Sequence, residues 1–185
     1  MIKNKSDLTF YLKADAVRNG MDCSLLKYLF FLFCGIEGAH VYRYLKFLRY
    51  TEYHYNSKGL LHKLFYLYYN VRLHRLGFRY HIQIPINKVG YGLRIMHLSG
   101  GGGVLLNVES IGNYCGFNAG VLIGNNGNDA KPRIGDYVAF GPGSSAFGDI
   151  TIGSNVFVAP GAVVRTNIPP NCIVGGIPAK IIKQK

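Results

Sequence analysis

Histidine 97 is the side chain of this chain best suited to moving a proton. It lies in the stretch VGYGLRIMHLSGGGG (Val89–Gly103), just ahead of a run of four glycines. An imidazole titrates near neutrality, so it can take a hydroxyl proton while that oxygen attacks a carbonyl. The glycine run leaves space beside it for substrates. For a lone histidine a plain surface or core role is the commoner one, so the pattern around it decides. Asp129 and Lys131 stand in the polar stretch GNNGNDAKPR. Asp129 could orient the imidazole or bond an acceptor hydroxyl, and Lys131 could hold substrate or phosphate; solvated charges in a loop are the plainer reading of both. Three-histidine zinc chemistry is excluded, because beyond residue 80 only His81 and His97 occur.

The elements that must position these residues are legible in a period. Ile134, Phe140, Ala146, Ile152, Val158 and Val164 stand six apart, and four residues after each come Val138, Ser144, Ile150, Val156, Ala162 and Ile168. Asp136, Pro142–Gly143, Gly148–Asp149, Ser154–Asn155 and Pro160–Gly161 fall between as turn-formers. A short strand and a turn every six residues predict a parallel β-helix, with the spaced apolar side chains pointing into a common interior. Further hexads start at Val89, Ile95, Ile111 and Phe117. The phase breaks over Gly100–Ser110 and Gly124–Arg133, which are predicted to leave the coil as loops on the binding side. The last segment, IPPNCIVGGIPAKIIKQK, ends the regular coil in a basic tail.

Residues 1–80 have a different texture, rich in aromatic, aliphatic and basic residues and without proline. They predict an α-helical region. One helix starts near Ser6–Asp7 and stops at Gly20, a second is capped by Ser24, a third follows, and a fourth ends at Gly77. Leu61, Leu64, Tyr68 and Val71 have the spacing of one helix face. The run Leu25–Ile36 is about a dozen residues, short of the ~20 that span a bilayer, and is expected to be a buried helix. The boundary to the β-helix domain, residues 81–185, falls near Ile82–Pro85.

The net charge is +12, and residues 1–80 carry 13 Lys/Arg against 5 Asp/Glu. A basic surface suits an acidic small molecule or anionic lipid. Nucleic acid is not expected, since no binding motif occurs and the repeats are poor in Lys and Arg. The cysteines, Cys23, Cys34, Cys115 and Cys172, show no framework and are expected to be reduced and buried. No signal-peptide apolar segment precedes a cleavage site.

Taken with His97 and the two phase breaks, the terminal motif VGGIPAKII gives residues 82–183 a family likeness. They resemble the hexapeptide-repeat acyltransferases, within them the serine acetyltransferase branch, and most closely the short members assigned to exopolysaccharide O-acetylation, such as the colanic acid acetyltransferases. The resemblance implies a mainly β fold, a left-handed parallel β-helix preceded by helices. It also implies acetyl-CoA as co-substrate, no metal, a homotrimer with sites between subunits, and a cytoplasmic location, with peripheral contact at the inner membrane face as an option. The family's catalytic histidine falls on His97. With no clear Cys or Ser nucleophile, direct attack by the acceptor is expected. Asn118 falls where the family lines its cleft, though a turn role suits it equally. The final coils would bind coenzyme A through a small-residue ridge of Ala139, Gly141, Gly143, Ser144 and Ala146, with Arg165, Lys180 and Lys183 for the phosphates.

Two departures bear on the acceptor. Serine-specific members carry an aspartate before the histidine, where this chain has Met96, and an Arg-His pair before the proline, where it has Ala130–Lys131. Without the arginine to grip a carboxylate, the expectation is acetyl transfer to a saccharide hydroxyl in capsule or exopolysaccharide synthesis. Serine O-acetylation is the alternative, with Lys131 as a partial replacement for the missing charge. A non-catalytic scaffold is the second alternative.

Overall fold

The structure is a computed structural model describing residues 1–125, 127 and 129–185. Four helices come first: α1 (Lys5–Arg18), α2 (Leu25–Phe33), α3 (Glu37–Asn56) and α4 (Leu60–Tyr80). The strands that follow are two to five residues long: β1 (Ile82–Gln83), β2 (Arg94–Met96), β3 (Val104–Leu106), β4 (Ser110–Ile111), β5 (Gly116–Asn118), β6 (Leu122–Gly124), β7 (Arg133–Ile134), β8 (Ala139–Phe140), β9 (Ser145–Phe147), β10 (Thr151–Ile152), β11 (Phe157–Val158), β12 (Val163–Val164), β13 (Cys172–Gly175) and β14 (Lys180–Gln184).

They form a prism of three parallel sheets, the expected β-helix. The orders are β1-β3-β6-β9-β12 on one face, β4-β7-β10 on the second, and β2-β5-β8-β11-β13 on the third. Single bridges, Val89 to Ile111 and Ile152 to Ile168, extend the second face at both ends. Both hexad series point inward: Ile134 through Val164 and Val138 through Ile168 are all buried. Phe117 and Phe140 stack in the interior with ring centres 5.4 Å apart. Gly92, Tyr114, Tyr137, Asn155 and Asn171 form one stacked corner, all with positive φ. Tyr137, not Asp136, takes the left-handed turn there, and Asp136 instead accepts from the backbone N–H of Asn113 at 2.6 Å.

Two sequence expectations are corrected. The first phase break is shorter than expected, because Val104–Leu106 returns to the sheet as β3 and only about His97–Gly103 leaves the coil. The second break, Gly124–Arg133, includes Asn126 and Asn128, which lie outside the described residues. The basic tail is not free: β14 pairs antiparallel with β13 and covers the last rung. Helix limits shift for local reasons. Asn4, not Ser6, caps α1, its side chain accepting from Asp7 N–H. Helix α4 runs through Gly77 to Tyr80, because Gly77 is a close approach and not a stop; a Cβ there would sit 2.6 Å from the Ile82 carbonyl oxygen.

The helical region closes the open end of the solenoid. Leu45, Leu48, Leu73 and Leu76 share one continuous core with Ile84, Val89, Leu93 and Ile95 of the first rung. That rung's outer backbone has no strand beyond it, and unpaired buried amides are costly. Helix side chains supply the partners. Arg49 donates to the carbonyls of Val89 (3.0 Å) and Gly90 (2.6 Å), and Asp15 accepts from Leu93 N–H (2.9 Å). Glu52 accepts from Asn87 N–H, and the Tyr44 hydroxyl accepts from Ile84 N–H. Arg49 also pairs with Asp15 at 2.8 Å and Glu52 at 3.1 Å, all three essentially without solvent exposure. Burial opposes the Arg49 charge, but the two carboxylates outweigh it and hold the guanidinium above its ordinary pKa.

The expectation of a buried Leu25–Ile36 helix fails. Only Tyr28 of α2 is buried, and Leu26 and Phe33 are 81% and 90% exposed. The stripe Leu61, Leu64, Tyr68 and Val71 likewise faces out, since α4 packs on α3 through its opposite side. Cys115 and Cys172 are buried as expected, whereas Cys34 is exposed, and all four cysteines are free.

Replacing Arg49 with alanine leaves two buried carboxylates without their cation and the Val89 and Gly90 carbonyls without the donor it supplies. The expected loss is about 3–5 kcal/mol of unfolding free energy, the range for breaking a buried ion pair from one side. Urea denaturation measures it, and a loss under about 1 kcal/mol would show that the network does not hold the end of the solenoid.

Candidate active site

His97 follows β2 at the edge where the third sheet turns into the first. It holds a left-handed conformation, φ 63°, opening a short 3-10 turn over Leu98–Gly100. Strain of that kind in a non-glycine residue persists only when neighbours fix it. Glu37, in the first turn of α3, does so. One carboxylate oxygen accepts from His97 N–H at 2.6 Å, and the other accepts from Ser99 N–H at 3.4 Å and Ser99 Oγ at 3.2 Å. The imidazole itself is exposed.

A cavity of about 290 Å³ begins one residue past His97, lined among others by Glu37, His40, Arg79, Tyr80 and Ser99. His40 Nδ1 lies 3.0 Å from the Tyr80 hydroxyl. Burial, then the nearby Arg43 and Arg79 cations, push the His40 imidazole below its usual pKa of 6.5. Sequence reasoning missed Glu37, His40 and Arg79. Each sits in an ordinary helix context, and its partner lies far along the chain.

The edge below His97 is continuous. Met96 pairs with Asn118, and Asn118 Nδ2 donates to the Phe140 carbonyl at 2.8 Å. Gly141 and Gly143 turn the same edge one rung on, and the β13–β14 hairpin ends it with Lys180 opposite Gly175. Rungs are spaced ~4.8 Å, so this edge runs about 19 Å from the His97 rung to the last. An extended thioester arm can lie along such a line.

Other expected site residues fall elsewhere. Ser144 and Ala146 are no part of a surface ridge: both are fully buried, and Ser144 Oγ is spent on the Gly141 carbonyl at 2.7 Å. Gly141 has a packing reason to be glycine, since a Cβ would lie 2.7 Å from Pro160 N. Ala139 is half-buried on the third sheet, and Lys183 pairs with Ile173 away from the edge. Arg165, Asp129 and Lys131 follow strands of the first sheet, on the connections toward the second. Those connections start from a different edge from that of His97. Among the described residues no cluster of three or more metal-ligating side chains occurs.

No protein-family model matches the chain. The serine acetyltransferase of Synechococcus elongatus is 35% identical over 101 residues, 53% of this chain and 41% of that protein. The chain thus spans about two fifths of that relative's length. Among solved structures, the serine acetyltransferase of Brucella abortus superposes with a TM-score of 0.72 at 21% identity, covering 97% of this chain and 70% of that one. A serine acetyltransferase from the same organism, solved with coenzyme A, superposes at 0.69 with 23% identity, covering 98% and 70%. These likenesses overturn the saccharide expectation: the relatives and neighbours bear the name that stood as the alternative, and none ties the chain to exopolysaccharide O-acetylation. The expectation weighed the residues at Met96 and Ala130, whereas the fold also brings a guanidinium, Arg79, to the cavity lined by Leu98 and Ser99. The chain is therefore similar in sequence to serine acetyltransferases over about half of its length and shares their fold across nearly its whole length.

A depressed His40 pKa fixes the sign of one pH effect. As pH falls through 6.5, the unfolded imidazole takes up a proton before the folded one does, so His40 contributes stability above 6.5 that is lost on acidification. His54, lowered by burial and then by His62, acts in the same direction. An NMR titration of His40 should give a midpoint below 6.5; a midpoint above it would mean that burial and the Arg43 and Arg79 cations do not act on the ring as the fold places them.

Proposed function

We propose that the chain is an acetyl-CoA-dependent O-acetyltransferase with serine as its acceptor. The observation that carries the reading is the cavity lined by Leu98 and Ser99, the residues that follow His97, where Arg79 offers a carboxylate partner and Glu37 fixes the histidine turn. His97 takes the proton from the serine hydroxyl as its oxygen attacks the thioester carbonyl. The tetrahedral intermediate then expels the coenzyme A thiolate, which the imidazolium can reprotonate. Arg79 grips the amino-acid carboxylate with its forked guanidinium. The thioester arm lies along the edge through Asn118, Gly141 and Gly143 toward Lys180. The coenzyme A complex of the Brucella neighbour supports that co-substrate.

The second part of the proposal is a homotrimer. Asp129, Lys131 and Arg165 lie on connections between the first and second sheets, an edge other than that of His97, which supports a site completed by an adjacent copy. Closed threefold symmetry would bring one copy's loop against the next copy's His97 edge. Because the thioester is drawn from the cytoplasmic pool, we place the reaction there.

Release of the coenzyme A thiol on adding L-serine tests the reaction. His97→Ala should lower kcat by about 10²- to 10⁴-fold, the range for losing a general base. Arg79→Gln should cut kcat/KM for serine about ten- to a hundredfold, matching ~1.5–3 kcal/mol for a charge-assisted hydrogen bond. No turnover of serine by the intact chain would refute the assignment, and full activity in Arg79→Gln with loss in Lys131→Ala would move the carboxylate site to the loop. Light scattering should give a mass three times that of the chain, and a monomer at micromolar concentration would remove the shared site.

A further inference from the structure

The exposed apolar faces of α2 and α4 are too large to pass as scattered surface residues. On α2, Leu25, Leu26, Leu29, Phe30 and Phe33 are between 50% and 90% exposed and follow one helix face. On α4, Leu60, Leu64, Leu67 and Val71 stand on the side opposite Leu73 and Leu76, which pack on the core. The two faces meet. Leu29 of α2 and Tyr68 of α4 line a shared groove of about 530 Å³, and Arg43 and Lys46 of α3 line it with them. Lys46 is held over the Tyr28 and Tyr42 rings at 5.1 and 5.7 Å.

Charge decides what covers this surface. Helices α2 and α4 contain Lys27, Lys63, Arg72, Arg75 and Arg79 and no acidic residue. The sequence has no acidic residue at all between Glu52 and Glu109. A second copy seated on this face would set like charges against each other with no carboxylate between them. An anionic bilayer supplies both an apolar phase for the leucines and phenylalanines and phosphates for the cations. Among the described residues no single helix is long and apolar enough to cross a membrane, so the faces would lie in the interface plane.

We propose that α2 and α4 form a docking face for an anionic phospholipid surface, with their apolar side chains inserted at the headgroup boundary and the exposed Lys63 and Arg75 of α4 at lipid phosphates. Helix α2 ends a few residues before Glu37, which fixes the His97 turn, so docking would set the candidate active site close to the membrane surface.

Co-sedimentation of the full chain with phosphatidylcholine vesicles, with and without about one third phosphatidylglycerol, tests this. Binding should be at least tenfold tighter to the anionic vesicles and weaken with salt. The variant Leu26→Gln/Phe30→Gln/Leu64→Gln/Leu67→Gln, altered only at exposed positions, should lose at least tenfold while melting at the same temperature. Lys63→Gln/Arg75→Gln should also weaken binding, by about fivefold per charge removed, and carries the test by itself if the first variant melts lower. The proposal is overturned if the intact chain stays in solution with both vesicle types. It is equally overturned if neither variant changes binding, or if the apolar variant lowers the oligomer's mass, which would make the face a contact between copies.

Discussion

A β-helix has two open ends, and the first rung of this one is closed by a single buried charge cluster. Arg49, Asp15 and Glu52 neutralise one another and spend their remaining hydrogen-bonding capacity on the backbone of residues 87–93. The arrangement ties α1 and α3 to the first rung by groups that are costly to leave unpaired. Strands of two or three residues have little stability alone; they persist because each rung is a template for the next. What holds the first rung therefore supports every rung stacked on it.

The same fixed rung carries the candidate active site. His97 leaves the coil directly after β2, and Glu37 reaches it from the helix that carries Arg49. Helical region and solenoid are thus one unit where the chemistry is placed: the solenoid supplies the histidine and the long edge below it, and the helices supply Glu37, His40 and Arg79. The aspartate absent at Met96 and the arginine absent at Ala130 are not the whole of the charge near this turn. Other charged groups reach the same neighbourhood through the fold.

The helical region also has two sides of opposite character. One is consumed in closing the solenoid through Leu45, Leu48, Leu73 and Leu76. The other keeps leucines and phenylalanines in the open beside uncompensated cations. Burial in the chain explains the first side and leaves the second to an interaction outside it.

The solenoid was legible in the sequence because each rung is a local unit. An inward residue every six positions and a turn between are dictated by strand alternation and corner geometry within the rung, so Ile134 through Val164 name their own environment. Helices were readable as helices, but their buried sides were not: the spacing of Leu61, Leu64 and Tyr68 marks a face without saying whether the chain covers it. Only the tertiary structure decided that Glu37 holds residues 60 positions away, that Gly77 is a close contact, and that Ser144 and Ala146 point inward. It also decided that Asp129 and Lys131 stand on a different edge from His97. The reason is physical. Periodicity records which way a side chain points relative to its own backbone, whereas partners brought together by packing leave no mark in the residues between them.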